Sequence, residues 1–338
     1  MQNGFSAQQY QMLEKRAILQ RIKKFSKLYL EIGGKLLYDD HAARVLPGYD
    51  PQVKIKLIRS LMPCDLLYCV NARDIESHRR IGSSETSCAI QALKEIKKLK
   101  RKGINIAACV ITRFAKQREA KKFKKKVEKY CPVYTHTNVP KYLESAQGAI
   151  AGLAKQPYVP VSNKLCIVTG VASGSGKMAV ALSQIFHERK QEINAGFAKV
   201  ETFPIWNLPV AHPINRAYEA ATADLQDKVI LDTYHWKAYH KKASNYNRDI
   251  KNFALLQKLL KSITHERYPF GYRSPTDMGI NMAKKGITNE KVCIEAANEE
   301  IIRRYYEYLE NFKKGKEKSS TINRMKEIIR AAHLPIPS

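Results

Sequence analysis

The sequence predicts an α/β protein: mostly parallel sheet layers with a phosphate-loop-like strand, loop and helix, followed by a C-terminal helical subdomain. Three observations lead there. Short apolar runs alternate with helix-length segments, the spacing of βαβ units. Residues 164–178 join an apolar run to a helix start through small residues ending in Gly176-Lys177. Beyond Asn247, apolar residues recur at helical spacing almost to the last residue.

Taken in order, residues 7–25 read as a polar helix and 27–32 as a strand that stops at Gly33-Gly34. Residues 65–70 form a strand, 88–102 an amphipathic helix halted by Gly103, and 104–112 a further strand. A second basic helix is expected over 115–130 and a strand over 132–135. The pattern weakens over 142–163, with Ala and Gly and then Pro157 and Pro160, which marks a boundary. The loop strand follows, then a helix over 177–192 and a strand over 195–202. The apolar run 229–231 ends in Asp232, like the acid at the end of a Walker-B strand. Residues 249–264, 290–312 and 321–333 have the periodicity of amphipathic helices, and Ser274-Pro275-Thr276-Asp277 is a capped helix start. The expected domains are an α/β domain over 1–155, the loop-bearing α/β segment over 156–245 and a helical subdomain over 246–338.

Composition narrows the class. The 338 residues are sufficient for a large core, and the first residues lack the basic flank and apolar stretch of an export signal. No apolar run approaches the ~20 residues of a membrane span. A cytoplasmic protein with no membrane contact is expected; a homo-oligomer is left open. Seven cysteines, none in a C-x-x-C pair, sit mostly in apolar runs and read as reduced core residues. No metal site is expected: His187-Glu188 begins like a zinc motif, but Gln191 stands where the second histidine would be. Net charge is +28, and residues 94–129 alone hold fifteen Lys and Arg against three Glu, a local +12. Such a stretch attracts polyanions, or it is simply the solvated face of two helices. Its aromatic residues are only Phe114 and Phe123, a sparse stacking surface for nucleic acid.

The loop names a ligand class. Amides of Gly174, Ser175 and Gly176, the start of the following helix and the Lys177 ammonium form the arrangement that cradles phosphate. The usual pattern, G-x-x-x-x-G-K-[ST], is broken twice. Val171 occupies the first glycine position, and Met178 replaces the hydroxyl residue that would hold Mg²⁺. Phosphate binding is therefore better supported than metal-assisted transfer.

Several strings resemble a known family. Residues 29–36, 39–48, 176–178, 201–209, 212–213, 217–224, 245–249 and 274–279 are together similar to the bacterial uncharacterised protein family 0371, also called domain of unknown function 1846. The resemblance covers most of the chain. It implies an α/β fold, a longer family protein with a further α/β region after the helices, and no established biochemical role. Family members have more Gly and Pro in the loop, where this chain has Val171, Ala172 and Ser173.

The expected ligand is a phosphorylated small molecule, ATP or another nucleotide among the candidates. If the site is catalytic, the chemistry is ATP-dependent transfer or ligation, with Lys177, Glu201, Asp224, Asp232 and His41 as the catalytic set. Glu201, Asp224 or Asp232 would hold Mg²⁺ in place of the missing hydroxyl. His41, with Asp39, Asp40 and Arg44, follows a Gly-Gly turn and suits acid–base chemistry or a helix cap equally. Lys199, Thr202, Asn207, His212, Asn215, Arg248 and Asp277 are the substrate-binding candidates. Arg248 is the preferred anion clamp because its planar fork pairs two oxygens. The run from Glu201 is placed by analogy with the strand end of dethiobiotin-synthetase-like ligases. The alternative is a non-enzymatic polyanion- or nucleic-acid-binding protein that uses the basic helices of 94–129.

Overall fold

Strands that are apolar on both sides can be satisfied only between two layers of helices. In the computed structural model, which describes residues 3–81, 86–139 and 145–337, the strands lie there. The chain forms β1 (Lys27–Ile32), β2 (Asp65–Asn71), β3 (Ile106–Thr112), β4 (Val133–Thr135), β5 (Leu165–Gly170), β6 (Ala195–Val200), β7 (Val229–Leu231), β8 (Ser244–Tyr246) and β9 (Gly279–Ile280). The main sheet runs β4-β3-β2-β5-β1-β6-β9, every pairing parallel. Strands from residues 1–155 and from 156–245 thus interleave in one sheet.

Alternation along β1 divides the core. Leu28, Leu30 and Ile32 face a layer containing Ile18, Ile55, Ile58, Ile96, Leu99 and Phe123. Tyr29 faces the opposite layer with Leu153, Val180, Ile185, Phe253 and Leu256. The helix Asn247–Thr264 belongs to that second layer and covers the sheet. A third apolar cluster lies beside the β6 edge, where Phe203, Ile205 and Trp206 meet Ala217, Ile301, Tyr305, Met325 and Ile328. The N-terminal residues Phe5, Tyr10, Ala42 and Val45 complete it. The C-terminal helices Glu290–Lys313 and Ser319–Ala331 form their core in this cluster.

Two elements differ from expectation for local reasons. The second basic helix is shorter, Arg118–Val127, because Arg113 and Lys116 adopt left-handed φ values of 52° and 63° and end any continuous helix upstream. Residues 229–231 do not enter the parallel sheet; they pair antiparallel with β8. The Walker-B-like placement of Asp232 is thereby lost, and its carboxylate instead caps the helix Thr233–Tyr239 through the His235 amide at 3.0 Å. All seven cysteines are buried and unpaired. Among the described residues no helix is long and apolar enough to cross a membrane.

Candidate functional site

In a parallel sheet, neighbouring strands whose crossovers depart in opposite directions leave a crevice at their carboxyl ends. Here β2 leads to β3 and β4 on one side, while the adjacent β5 leads over β1 to β6 on the other. The crevice opens into a cavity of about 910 Å³, lined by residues from β1, β3, β6 and the loop after β5.

The loop is held from outside by its carbonyls. Asn71 Nδ2 donates to Gly174 O at 3.3 Å, Arg79 to Ser173 O at 3.4 Å and Thr112 Oγ1 to Ser175 O at 2.9 Å. Gly174 and Gly176 have φ of +79° and +89°, conformations that suit glycine, and Gly176 caps the helix Lys177–Lys190. The Ser175 amide is taken by Ala172 O at 3.4 Å. The amides of Ser173, Gly174, Gly176 and Lys177 have no hydrogen-bond partner among the described residues. Ser175 is buried, and its hydroxyl has no partner among the described residues and does not line the cavity.

Charges of both signs alternate along the floor. Lys177 Nζ lies 3.8 Å from Glu31 Oε1 and Lys199 Nζ lies 2.8 Å from Asp249 Oδ2. Glu31 and Lys199 are register partners on β1 and β6, which is why the two pairs stand side by side. Burial opposes the charge on Lys199, but Asp249 and Glu31 outweigh it and raise its pKa. Arg248 reaches Asp227 at 2.7 Å and Ser173 Oγ at 3.2 Å, joining the helix that begins at Asn247 to the loop.

Glu201 follows β6 and turns back on its own chain. Its Oε1 accepts the Thr202 and Phe203 amides at 2.9 and 3.1 Å, and its Oε2 accepts the Tyr246 hydroxyl. Burial raises its pKa, against the opposing pull of that hydroxyl and of Lys54. Asp39 caps the helix Asp40–Val45 and pairs with Lys54 at 2.7 Å. Burial works against its charge, yet Lys54 prevails and holds the carboxyl below its ordinary range. His41 stacks on Phe203 with centroids 5.1 Å apart, and its Nδ1 lies 3.0 Å from Glu300 Oε1. Glu300 also accepts from Arg44, Arg303 and Arg304. Burial pushes the His41 pKa down despite Glu300.

The expected site residues divide. Gly174, Gly176, Lys177, His41, Lys199, Glu201, Thr202 and Arg248 line the cavity together. The others do not line it. Asp224 accepts the Tyr308 hydroxyl at 3.2 Å, and Asp232 takes the Thr276 hydroxyl at 2.7 Å. Asn207 donates to Asn281 O, and His212 caps a helix through the Ile214 amide and meets Glu290 at 3.2 Å. Asn215 donates to Pro209 O, and Asp277 closes the capping box with Ser274. The three carboxylates expected to hold Mg²⁺ therefore do not converge. Sequence reasoning missed Glu31, Asp227, Thr112 and Glu300; only Glu31, a charge at the carboxyl end of an apolar strand, carries a readable signal.

The outer faces of the helices Cys88–Arg101 and Arg118–Val127 expose most of the basic cluster, while Phe123 is buried beneath it.

Comparison with known proteins places the chain. The family model described as "Domain of unknown function DUF1846, N-terminal" matches residues 3–333. A UPF0371 protein of Clostridium tetani (strain Massachusetts / E88) is 41% identical over 338 residues, which is 99% of this chain and 67% of that protein. One of Clostridium botulinum (strain ATCC 19397 / Type A) is 39% identical with the same coverage. One of Streptococcus pneumoniae (strain CGSP14) is 41% identical over 327 residues, 95% of this chain and 66% of that protein. The chain spans about two thirds of the length of these relatives.

Proposed function

This chain belongs to the DUF1846 family, and for it we propose binding of a phosphorylated small molecule in the cavity at the carboxyl edge of the parallel sheet. The phosphate sits on the loop of residues 173–177. The observation that carries the reading is the set of unpartnered amides at Ser173, Gly174, Gly176 and Lys177, facing a cavity that also receives Lys177 and Arg248. Amides at a helix start, with flanking cations, are complementary to a phosphate dianion. Arg248 is already fixed by Asp227 and so needs little ordering to meet an anion.

ATP or another nucleotide is within this class. Because Glu201 has both oxygens engaged and Asp224 and Asp232 lie elsewhere, the reading is binding, with no step routed through Mg²⁺. Equilibrium binding of labelled ATP and of inorganic phosphate to the wild type and to Lys177→Ala tests it. Saturable binding, weakened about tenfold or more by the substitution, is expected. Equal affinities for the two proteins would overturn it.

A second reading rests on the exposed cations of residues 94–129, a strongly basic stretch that would attract a polyanion. With Phe123 buried and Phe114 packed against the core, that reading rests on charge. A steep fall in binding of arbitrary RNA with rising salt is its signature.

A further inference from the structure

Buried hydrogen-bonding atoms are nearly always paired, so those left unpaired around one cavity describe the ligand that would pair them. Four such side-chain atoms belong to residues lining this cavity, with no partner among the described residues: Glu31 Oε2, His41 Nε2, Asp227 Oδ1 and His136 Nε2. Two are carboxylate oxygens, which offer acceptance only. Asp227 is fully buried, and the nearby Tyr218 hydroxyl pulls its pKa down against burial, while Oδ1 itself accepts no well-formed hydrogen bond among the described residues.

The imidazole of His41 is an acceptor as well, by the logic of its other nitrogen. Nδ1 faces the Glu300 carboxylate, which three guanidinium groups and the imidazole hold well below the usual carboxyl range. A carboxylate accepts, so Nδ1 carries the proton and Nε2 is left bare. Arg304 and burial both oppose a second proton on the ring. Stacking on Phe203 fixes the direction in which Nε2 points.

Three of the four atoms, those of Glu31, His41 and Asp227, lie toward the β1 and β6 side of the phosphate loop. Glu31 is on β1, His41 follows β1, and Asp227 is tied to Arg248 beside the loop. From β5 across β1 to β6 is roughly 10 Å, two strand spacings. Phe203, Trp206 and Tyr218 line the cavity on the same side and present apolar ring faces. The fourth atom, His136 Nε2, donates or accepts according to its tautomer, and Lys35 and Arg113, both exposed, line the cavity as donors. Spare buried acceptors beside aromatic faces fit a molecule rich in hydroxyl donors.

We infer that the ligand is a phosphorylated sugar or polyol, its phosphate on the loop and its hydroxyl groups donating to Glu31, His41 and Asp227. This rests on the phosphate reading above and narrows it. Hydroxyl donation is what the chain rewards: each hydrogen bond relieves an acceptor that is otherwise buried and unpaired.

The test compares phosphates of matched length with and without hydroxyls. Calorimetric titration of the full chain with five- and six-carbon aldose and ketose phosphates, n-pentyl and n-hexyl phosphate, and inorganic phosphate supplies the comparison. At least one sugar phosphate is expected to bind about tenfold or more tighter than the alkyl phosphate of equal length. His41→Phe, which keeps a ring on Phe203 and removes the acceptor, should erase most of that preference. Asp227→Asn, which converts an acceptor to a mixed group, should reduce the preference in part and, by loosening Arg248, weaken every phosphate as well. Alkyl phosphates that bind as tightly as every sugar phosphate would overturn this inference and leave the phosphate reading standing. If inorganic, alkyl and sugar phosphates and ATP all fail to bind, both readings fall, whereas binding of ATP alone would overturn this inference and leave the phosphate reading standing. The wild-type comparison decides even if a substituted protein does not fold.

Discussion

Lys177 Nζ lies 3.8 Å from Glu31 Oε1, on the neighbouring strand. The ammonium that would meet a phosphate is thus held by a carboxylate that would repel one. Glu31→Gln preserves shape and removes the charge. Inorganic phosphate and ATP should then bind about three- to tenfold tighter, and adding Lys177→Ala should cancel the gain. Unchanged affinity in Glu31→Gln, measured by titration, would show that Lys177 takes no part.

Gly176 and Gly174 both have left-handed φ, but their surroundings differ. A Cβ at Gly176 meets Thr112 Cγ2 at 2.8 Å, whereas one at Gly174 meets nothing within 4 Å. Gly174→Ala should cost about 1 kcal/mol from backbone strain alone, and Gly176→Ala roughly 2–3 kcal/mol because Thr112 must also move. Denaturant midpoints at constant slope check the order. A larger loss at Gly174 would contradict the packing.

Glu300 is buried and serves three arginines and His41 from one carboxylate, tying the helix Glu290–Lys313 to Asp40–Val45. Burial opposes its charge, but Arg303, His41 and Arg44 hold it far below the ordinary carboxyl range. Its contribution is therefore present above about pH 4.5 and is lost only as pH falls well below that. Glu300→Ala should destabilise by about 3 kcal/mol at pH 7, since it leaves the arginines without their anion. Urea unfolding reads this directly.

Glu14 has the opposite sign. Burial raises its carboxyl from 4.5 to about 8, and its Oε2 accepts the Met282 amide at 2.6 Å while Oε1 is unpaired. The folded state holds this proton more tightly, so the stability it contributes is complete below about pH 4.5 and disappears as pH rises through 8. Tm should fall by roughly 5 °C more between pH 6 and pH 9 in the wild type than in Glu14→Gln. His136, lowered by burial to about 4, acts on the acid side: its contribution is complete above pH 6.5 and is lost as pH falls toward 4.

The seven buried thiols give a simple reading of integrity. Burial raises the pKa of Cys69 to about 12 and of Cys64 to about 11, so neither thiolate nor access is present in the folded chain. Ellman's reagent should label the native protein slowly and all seven thiols after denaturation. Rapid native labelling of more than one would contradict the packing.

Much of the sheet is legible because its strands are local signals. The uninterrupted apolar run of β2 and the glycine at 103 need only neighbouring residues to be read. The loop is legible for the same reason, since Gly174, Gly176 and Lys177 are adjacent in sequence. The helix Asn247–Thr264 is equally clear as a helix, but its periodicity cannot say whether it joins the C-terminal helices or covers the sheet. Val229–Leu231 shows the same limit, for three apolar residues suit a parallel or an antiparallel partner equally.

What the sequence determined by itself is the α/β class, the phosphate-loop-like segment, the capped helix starts and the family resemblance, all carried by residues near one another along the chain. Tertiary structure alone decided which polar side chains meet. Register placed Glu31 beside Lys199, and a packing contact 259 residues distant brought Glu300 to His41. Crossover direction put one strand end, and not another, at the cavity. The physical reason is that a side chain's partner depends on the path of the backbone between them, and no local pattern records that path.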